Sequence, residues 1–265
     1  MIYYRKKNGM KMAEIWYNYK EKPDRKIDVL RYKFVAENKR DAASFEELWT
    51  LLIDLTKPEG ELFSHIRKNT RYEINRAVNK DGAHCFTLFE KGEENREKLL
   101  QYIDFFNIFA DSKNRSRIDY SDVEQFYENK TFCARYAADG GGEILTMHAY
   151  VISDGTARLH QSSSLFRNTA DAEARNMIGR SNRLLHWDDI LFFKNAGLQY
   201  YDFGGWYGGA ETSGTYAEQL LINQFKESFG AEKKREYSFI EPASFRGRIA
   251  VLIHSAIDAV KKRGK

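Results

Sequence analysis

The opening of the chain alternates apolar and polar residues in short bursts, MIYYRK, MAEIWYNY and IDVLRYKFVA, separated by turns that hold Lys, Gly and Pro. Successive side chains on a strand point to opposite faces, so each burst reads as a strand. At Ser44 the spacing becomes helical. SFEELWTLLIDL begins with Ser44 and carries Glu47 three residues later, the reciprocal pairing of a capping box, and predicts a helix. A second helix is predicted over ELFSHIRKNTRYEINRAVNK, ending near Asp81-Gly82, where glycine accommodates a left-handed termination.

From Ala83 the pattern runs strand HCFTLF, helix NREKLLQYIDFFNIFAD, helix SDVEQFYENK, then strands TFCARYAA, EILTMHAYVIS and ARLHQSSSL. Gly140 to Gly142 and Asp154-Gly155 supply hairpin turns between the last three. After a polar loop from Arg167 come helix NRLLHWDDILFFKNAG, strand LQYYDF, a helix from Thr215 to Phe229 with the capping box Thr215 to Glu218, strand EYSFI, and helix FRGRIAVLIHSAIDAVKK. Three consecutive strands between helical segments predict an α+β fold, a mixed sheet covered by helices.

Composition narrows the classes. The chain has 265 residues, 42% hydrophobic and 14% aromatic, with three prolines and no low-complexity tract, enough for a substantial core in one large or two small domains. Apolar runs such as AVLIHSAI fall short of the roughly 20 residues that cross a bilayer, and MIYYRKKNGMKMAEIW lacks a signal-peptide pattern; the expectation is a cytoplasmic protein. Cys85 and Cys133 sit in strand patterns and read as small buried hydrophobes, so no metal site is expected. The net charge of +4 permits an anionic ligand without demanding one.

The stretch YYDFGGWYGGAETSGTYAEQLLINQFKESFG concentrates glycine where a strand turns into a helix. Gly204 and Gly205 allow close backbone approach or positive φ, and Trp206 and Tyr207 present flat surfaces with polar tips. An ordinary strand-to-helix connection and a binding loop are both compatible with it.

NRLLHWDDILFFKNAGLQYYDFGGW, followed by LLINQFKESFG, resembles the C-terminal signature of the FemAB family and its relatives in the GNAT acyltransferase superfamily; the upstream HIRKNTRYEINRAVNKDG resembles that family's Arg-rich helix. The resemblance spans roughly residues 61 to 230 and implies a GNAT-like fold whose fourth and fifth strands, counted from Ala83, splay apart. It also implies transfer of an acyl or aminoacyl group to an amine, on a cell-envelope or sugar precursor, with acyl-CoA or aminoacyl-tRNA as co-substrate and no tightly bound cofactor. Residues 83–265 are expected to be the GNAT-like domain, and residues 1–82 a strand-helix region holding at most a shortened first unit. The sequence lacks the coiled-coil arm of some members and the usual pyrophosphate loop before the helix at Asn182.

On this resemblance Lys226 is the first catalytic candidate, stabilising charge in the transition state, against the alternative of an exposed lysine favoured at a helix C-terminus. Asp202 is the second, placed to orient or deprotonate the acceptor, or else to cap the glycine turn. Gly204, Gly205, Trp206 and Tyr207 would line the acceptor site, with Ser162 and Ser163 at the end of the fourth strand. Lys68 and Arg71, beside Arg67 and Arg76, would grip a phosphate or form a solvated stripe. Arg180, Ser181 and Arg183 would meet an anionic donor, Ser181 as a helix cap. His148 and His160 are alternative bases or structural histidines. The stripe Ile249, Leu252, Ile253, Ala256, Ile257 and Val260, with a basic tail, either packs on the protein or docks on a membrane. A non-catalytic GNAT-fold module binding tRNA or anionic lipid, and a structural partner subunit, are the rival readings; oligomeric state is not legible.

Overall fold

The computed structural model describes residues 1–7, 9–40, 42, 44–209 and 216–253. The chain forms two compact units, Met1–Thr50 with the residues from Lys233 onward, and Leu51–Glu232.

In the first unit β1 (Ile2–Lys7), β2 (Met10–Trp16), β3 (Val29–Val35), β10 (Glu232–Pro242) and the start of β4 (Ser44–Asp54) lie side by side in the order β1-β2-β3-β10-β4. The β1–β2 and β3–β10 pairs are antiparallel and β2–β3 is parallel. Ile15, Tyr32, Val35, Tyr237 and Phe239 form the core of this unit.

The predicted helix from Ser44 is therefore a strand. Phe45, Glu47 and Trp49 alternate and meet β10: Phe45 stacks on Tyr237, Arg235 Nε lies 3.4 Å from Glu47 Oε1, and the Arg235 guanidinium lies over the Trp49 ring. Leu51 and Ile53 continue the alternation as buried core, so the period was two throughout, and Ser44 and Glu47 matched a capping box by coincidence.

The second unit takes the end of β4 and orders it β4-β9-β8-β7-β6-β5, with β9 at Tyr200–Gly205, β8 at Thr156–Ser164, β7 at Ile144–Ser153, β6 at Phe132–Ala138 and β5 at His84–Phe89. The pairs from β5 to β8 are antiparallel and β8–β9 is parallel. Its helices are α1 (Glu59–His65), α2 (Lys68–Asn79), α3 (Arg96–Ser112), α4 (Tyr120–Glu128), α5 (Ala172–Asn195) and α6 (Tyr216–Glu227). The order of elements after Ala83 is the one predicted. Asp154 and Gly155 both have positive φ at the β7–β8 turn, the backbone a two-residue hairpin requires.

Sheet alternation assigns the layers. Cys133 faces a cluster containing Leu62 and Ile74 of α1 and α2, Leu184, Ile190 and Phe193 of α5, and Tyr150 and Tyr201. Its neighbour Phe132 faces the other way, against Tyr102 of α3 and Phe126 of α4. Both thiols are free, and burial pushes them well above the usual thiol range.

Three boundaries differ from expectation. The helix predicted over residues 61–80 is broken at Ile66 and Arg67, both extended, because Arg67 N–H leaves the helix to donate to Ser228 O at 2.8 Å. Helix α5 begins ten residues before Asn182, capped by Asp171, whose carboxylate accepts from Ala174 N–H at 2.8 Å; its polar first turns had read as loop. Ser181 is thus inside the helix rather than at its cap. Thr215 of the predicted capping box lies outside the described residues, as do positions 254–262 of the predicted last helix; residues 245–253 are helical. Among the described residues no helix is long and apolar enough to cross a membrane.

Candidate functional site

Strands β8 and β9 pair at Thr156↔Tyr200, Ala157↔Tyr201 and Arg158↔Asp202, and there the register stops. Beyond it β8 runs on to Ser164, held by β7 on its other side, while β9 runs on to Gly205. Two neighbouring parallel strands that stop pairing leave backbone groups facing one another without ladder bonds, which is where a substrate can enter a sheet.

Asp202 sits at the fork and is fully buried. One carboxylate oxygen is ion-paired to Arg158 of β8, and the other accepts from Gly204 N–H at 2.7 Å. Gly204 has φ +74°, a conformation that costs glycine nothing, and a Cβ there would reach 3.4 Å from Leu159 O. At Gly208 and Gly209 a Cβ would fall within 3 Å of the Trp206 or Tyr207 ring, so a side chain there would have to displace that ring. Gly205 has neither constraint, and its carbonyl accepts from Lys226 Nζ at 2.7 Å.

Helix α6 clasps this loop. Asn223 accepts from Tyr207 N–H at 3.0 Å and donates back to Tyr207 O at 2.8 Å, and Trp206 Nε1–H donates to Glu227 Oε1 at 2.9 Å. The structure therefore brings Asp202, Gly204, Gly205, Trp206, Tyr207 and Lys226 into one hydrogen-bonded group. Burial lowers the Lys226 pKa to about 8; Asp202 pulls it back up and Arg158 lowers it further.

The other candidates are distributed around this group. Ser163 is buried on β8 with its hydroxyl donating to Met147 O at 3.0 Å, and Ser162, paired opposite His148, faces the other way. Lys68 is exposed in the first turn of α2, and Arg71 Nη1 donates to Ser64 O at 3.1 Å. That end of α2 adjoins the end of α6, where Thr70 Oγ1 bonds Ser228 Oγ at 3.0 Å.

On α5, Arg180 is clamped by Asp81 and Glu173, at 3.0 and 2.8 Å from Nη2, and the Ser181 hydroxyl is buried with no hydrogen-bond partner. Arg183 is half-buried, with Nη1 donating to Gly179 O at 3.0 Å and its guanidinium over the Phe225 ring. Burial lowers its pKa from the usual guanidinium range.

Behind the fork lies a buried polar chain that sequence reasoning did not find. His186 Nδ1 lies 2.7 Å from Tyr201 OH, Tyr201 OH lies 2.8 Å from Tyr150 OH, and Tyr150 OH donates to Asp189 Oδ2 at 2.5 Å. The same carboxylate oxygen meets His148 Nδ1 at 2.7 Å, and Arg135 Nη1 lies 3.4 Å from Asp189 Oδ1. Burial, with the nearby His148, Lys226 and Arg183, drives the His186 pKa well below the ordinary imidazole value, so the ring is neutral. His148 belongs to this chain, whereas His160 is exposed on the opposite face beside Phe126 and Phe132.

Tyr201→Phe removes the hydroxyl that joins two buried groups. It is expected to lower stability by about 1–3 kcal/mol in urea unfolding, the usual cost of stranding a buried hydrogen-bonding partner. A loss within error would mean that water or a rearranged His186 replaces it.

The fold built around this forked sheet is shared with solved structures of FemX and of lysylphosphatidylglycerol synthetases. The solved structure of FemX matches over 91% of this chain and 84% of its own, at 11% identity and a TM-score of 0.64. The C-terminal domain of a putative lysylphosphatidylglycerol synthetase from Agrobacterium fabrum matches over 98% and 84%, at 12% identity and 0.57. L-PGS from Bacillus licheniformis matches over 86% and 72%, at 11% identity and 0.51. No family model and no curated protein matches the sequence.

Proposed function

We propose that this protein is a transferase that forms an amide by moving an acyl or aminoacyl group onto an amine, on a cell-envelope or sugar precursor. The observation that carries the reading is the end of β8–β9 pairing at Arg158 and Asp202, with the Lys226 ammonium held at the glycine loop that follows. The names of the fold's neighbours, FemX and lysylphosphatidylglycerol synthetase, support aminoacyl transfer as its general class.

In this reading the donor, an acyl-CoA or an aminoacyl-tRNA, presents its carbonyl in the fork. The acceptor nitrogen adds its lone pair to the carbonyl carbon, the C=O pair moves onto oxygen, and Lys226 stabilises that oxyanion. Collapse breaks the C–S bond of a thioester or the C–O bond of a ribose ester. The proton released by nitrogen leaves with the thiol or hydroxyl, or to water. Positioning supplies much of the rate, so no dedicated base is required.

Both Asp202 oxygens are occupied, so Asp202 acts as a positioning residue that sets the Gly204 turn and holds Arg158. Arg183 supplies charge toward an anionic donor, and Trp206, its indole bonded to Glu227, and Tyr207, its backbone bonded to Asn223, line the acceptor site. Arg71 and Lys68 would bear on a phosphate of the acceptor.

The test is a turnover screen offering amine acceptors with acyl-CoA and, separately, aminoacyl-tRNA donors. Lys226→Ala is expected to lower kcat by about 100-fold or more, the scale of removing one oxyanion donor. Undiminished turnover in that variant would remove the assignment.

A further inference from the structure

The helical segment at residues 245–253 is fastened along one side and bare along the other. Ser244 Oγ donates to Asp28 Oδ1 at 2.7 Å and accepts from Gly247 N–H at 3.0 Å, while Ala243 N–H donates to Asp28 O at 2.8 Å. Gly247 lies so close to this backbone that a Cβ would come within 1.8 Å of Asp28 O. Gly247 and Val251, one turn apart, are buried. That contact fixes the rotation of the helix.

Phe245, Ile249, Leu252 and Ile253 lie on the opposite side and are 77%, 47%, 70% and 56% exposed. Their spacing of four, three and one puts them in a single stripe. The alternative in which this stripe packs on the protein fails for its described part. Arg246 and Arg248 are both exposed, and at about 100° per residue they flank the stripe on its two sides. From Ala243 to the end of the sequence there are six basic residues, Arg246, Arg248, Lys261, Lys262, Arg263 and Lys265, and one acidic, Asp258.

We propose that this face docks on an anionic membrane surface, the apolar stripe entering the acyl boundary and the flanking cations meeting lipid phosphates. The charge pattern selects this occupant. A second copy related by a two-fold axis would set Arg246 and Arg248 against themselves, and like charges across an interface cost stability. A negatively charged bilayer instead attracts each cation by about 1 kcal/mol, and an amphipathic helix with basic margins suits that boundary. Docking needs no donor or turnover, so it stands or falls apart from the transferase reading.

Flotation of the full chain with vesicles tests it, comparing equal parts phosphatidylglycerol and phosphatidylcholine with phosphatidylcholine alone. The expected result is binding to the anionic vesicles only, weakened by salt, and reduced about tenfold or more in Leu252→Glu. Ile108→Glu, at an exposed apolar position on α3, is expected to bind as the parent does. Both positions are exposed, and circular dichroism confirms that each variant is folded. Absence of binding to anionic vesicles, equal binding to both vesicle types, or undiminished binding by Leu252→Glu each overturns the proposal. So does a dimer in light scattering that Leu252→Glu dissolves without any vesicle binding.

Discussion

Asp202→Ala is expected to cost about 3–5 kcal/mol of folding stability, the range found when one partner of a buried ion pair is removed. Arg158 is only 8% exposed and would lose the buried carboxylate it is paired with, and Gly204 N–H would lose its acceptor in the same step. Removing both charges should be milder. Arg158→Met combined with Asp202→Ala is expected to recover a large part of the loss, because the buried cation is removed together with its carboxylate, and the difference between double and single variants isolates the coupling. Urea unfolding reads this as a shift in midpoint at constant slope. A single-variant loss below about 1 kcal/mol would show that water reaches Arg158 and that the pair does not lock the fork.

The part of this architecture legible in the sequence is the part written in local signals. Asp154-Gly155, Gly197 and the alternation of β6 to β8 mark turns and strands without reference to distant residues, and the order of elements after Ala83 follows from them. Residues 44–54 were misread because a local coincidence, Ser44 with Glu47, competed with an alternation satisfied by Tyr237 and Arg235, almost two hundred residues away. The start of α5 was missed because its exposed, polar first turns carry no apolar stripe, and Asp171, the true cap, stood inside what read as loop.

The site divides in the same way. The glycine loop and Lys226 share one contiguous stretch, and their grouping was visible. Arg158 was not, since only the β8–β9 register places it opposite Asp202. The one available signal was an arginine near the start of a predicted strand. His186, Tyr201 and Tyr150 read as ordinary apolar-pattern residues, and what makes them a chain is the packing of α5 on β7 and β9.

The Lys226→Arg variant separates charge from protonation. In the proposed reaction the ammonium form is the active one, and with a pKa near 8 it is lost as pH rises through that value. The parent is therefore expected to show an alkaline limb in kcat falling about tenfold per unit above pH 8. Arginine keeps its proton throughout this range, so whatever activity Lys226→Arg retains should show no such limb. A limb unchanged in the variant would assign the titration to another group.

The same shift has a stability counterpart that needs no substrate. A lysine whose folded pKa lies near 8, against 10.5 in the unfolded chain, opposes folding fully below pH 8, and that opposition fades as pH rises toward 10.5. Lys226→Met is thus expected to raise stability at pH 7 by up to about 3 kcal/mol, less what the lost bond to Gly205 O gives back, with the advantage shrinking above pH 8. A site that gains stability when its lysine is removed while turnover disappears is one whose charge was kept in place for chemistry rather than for folding.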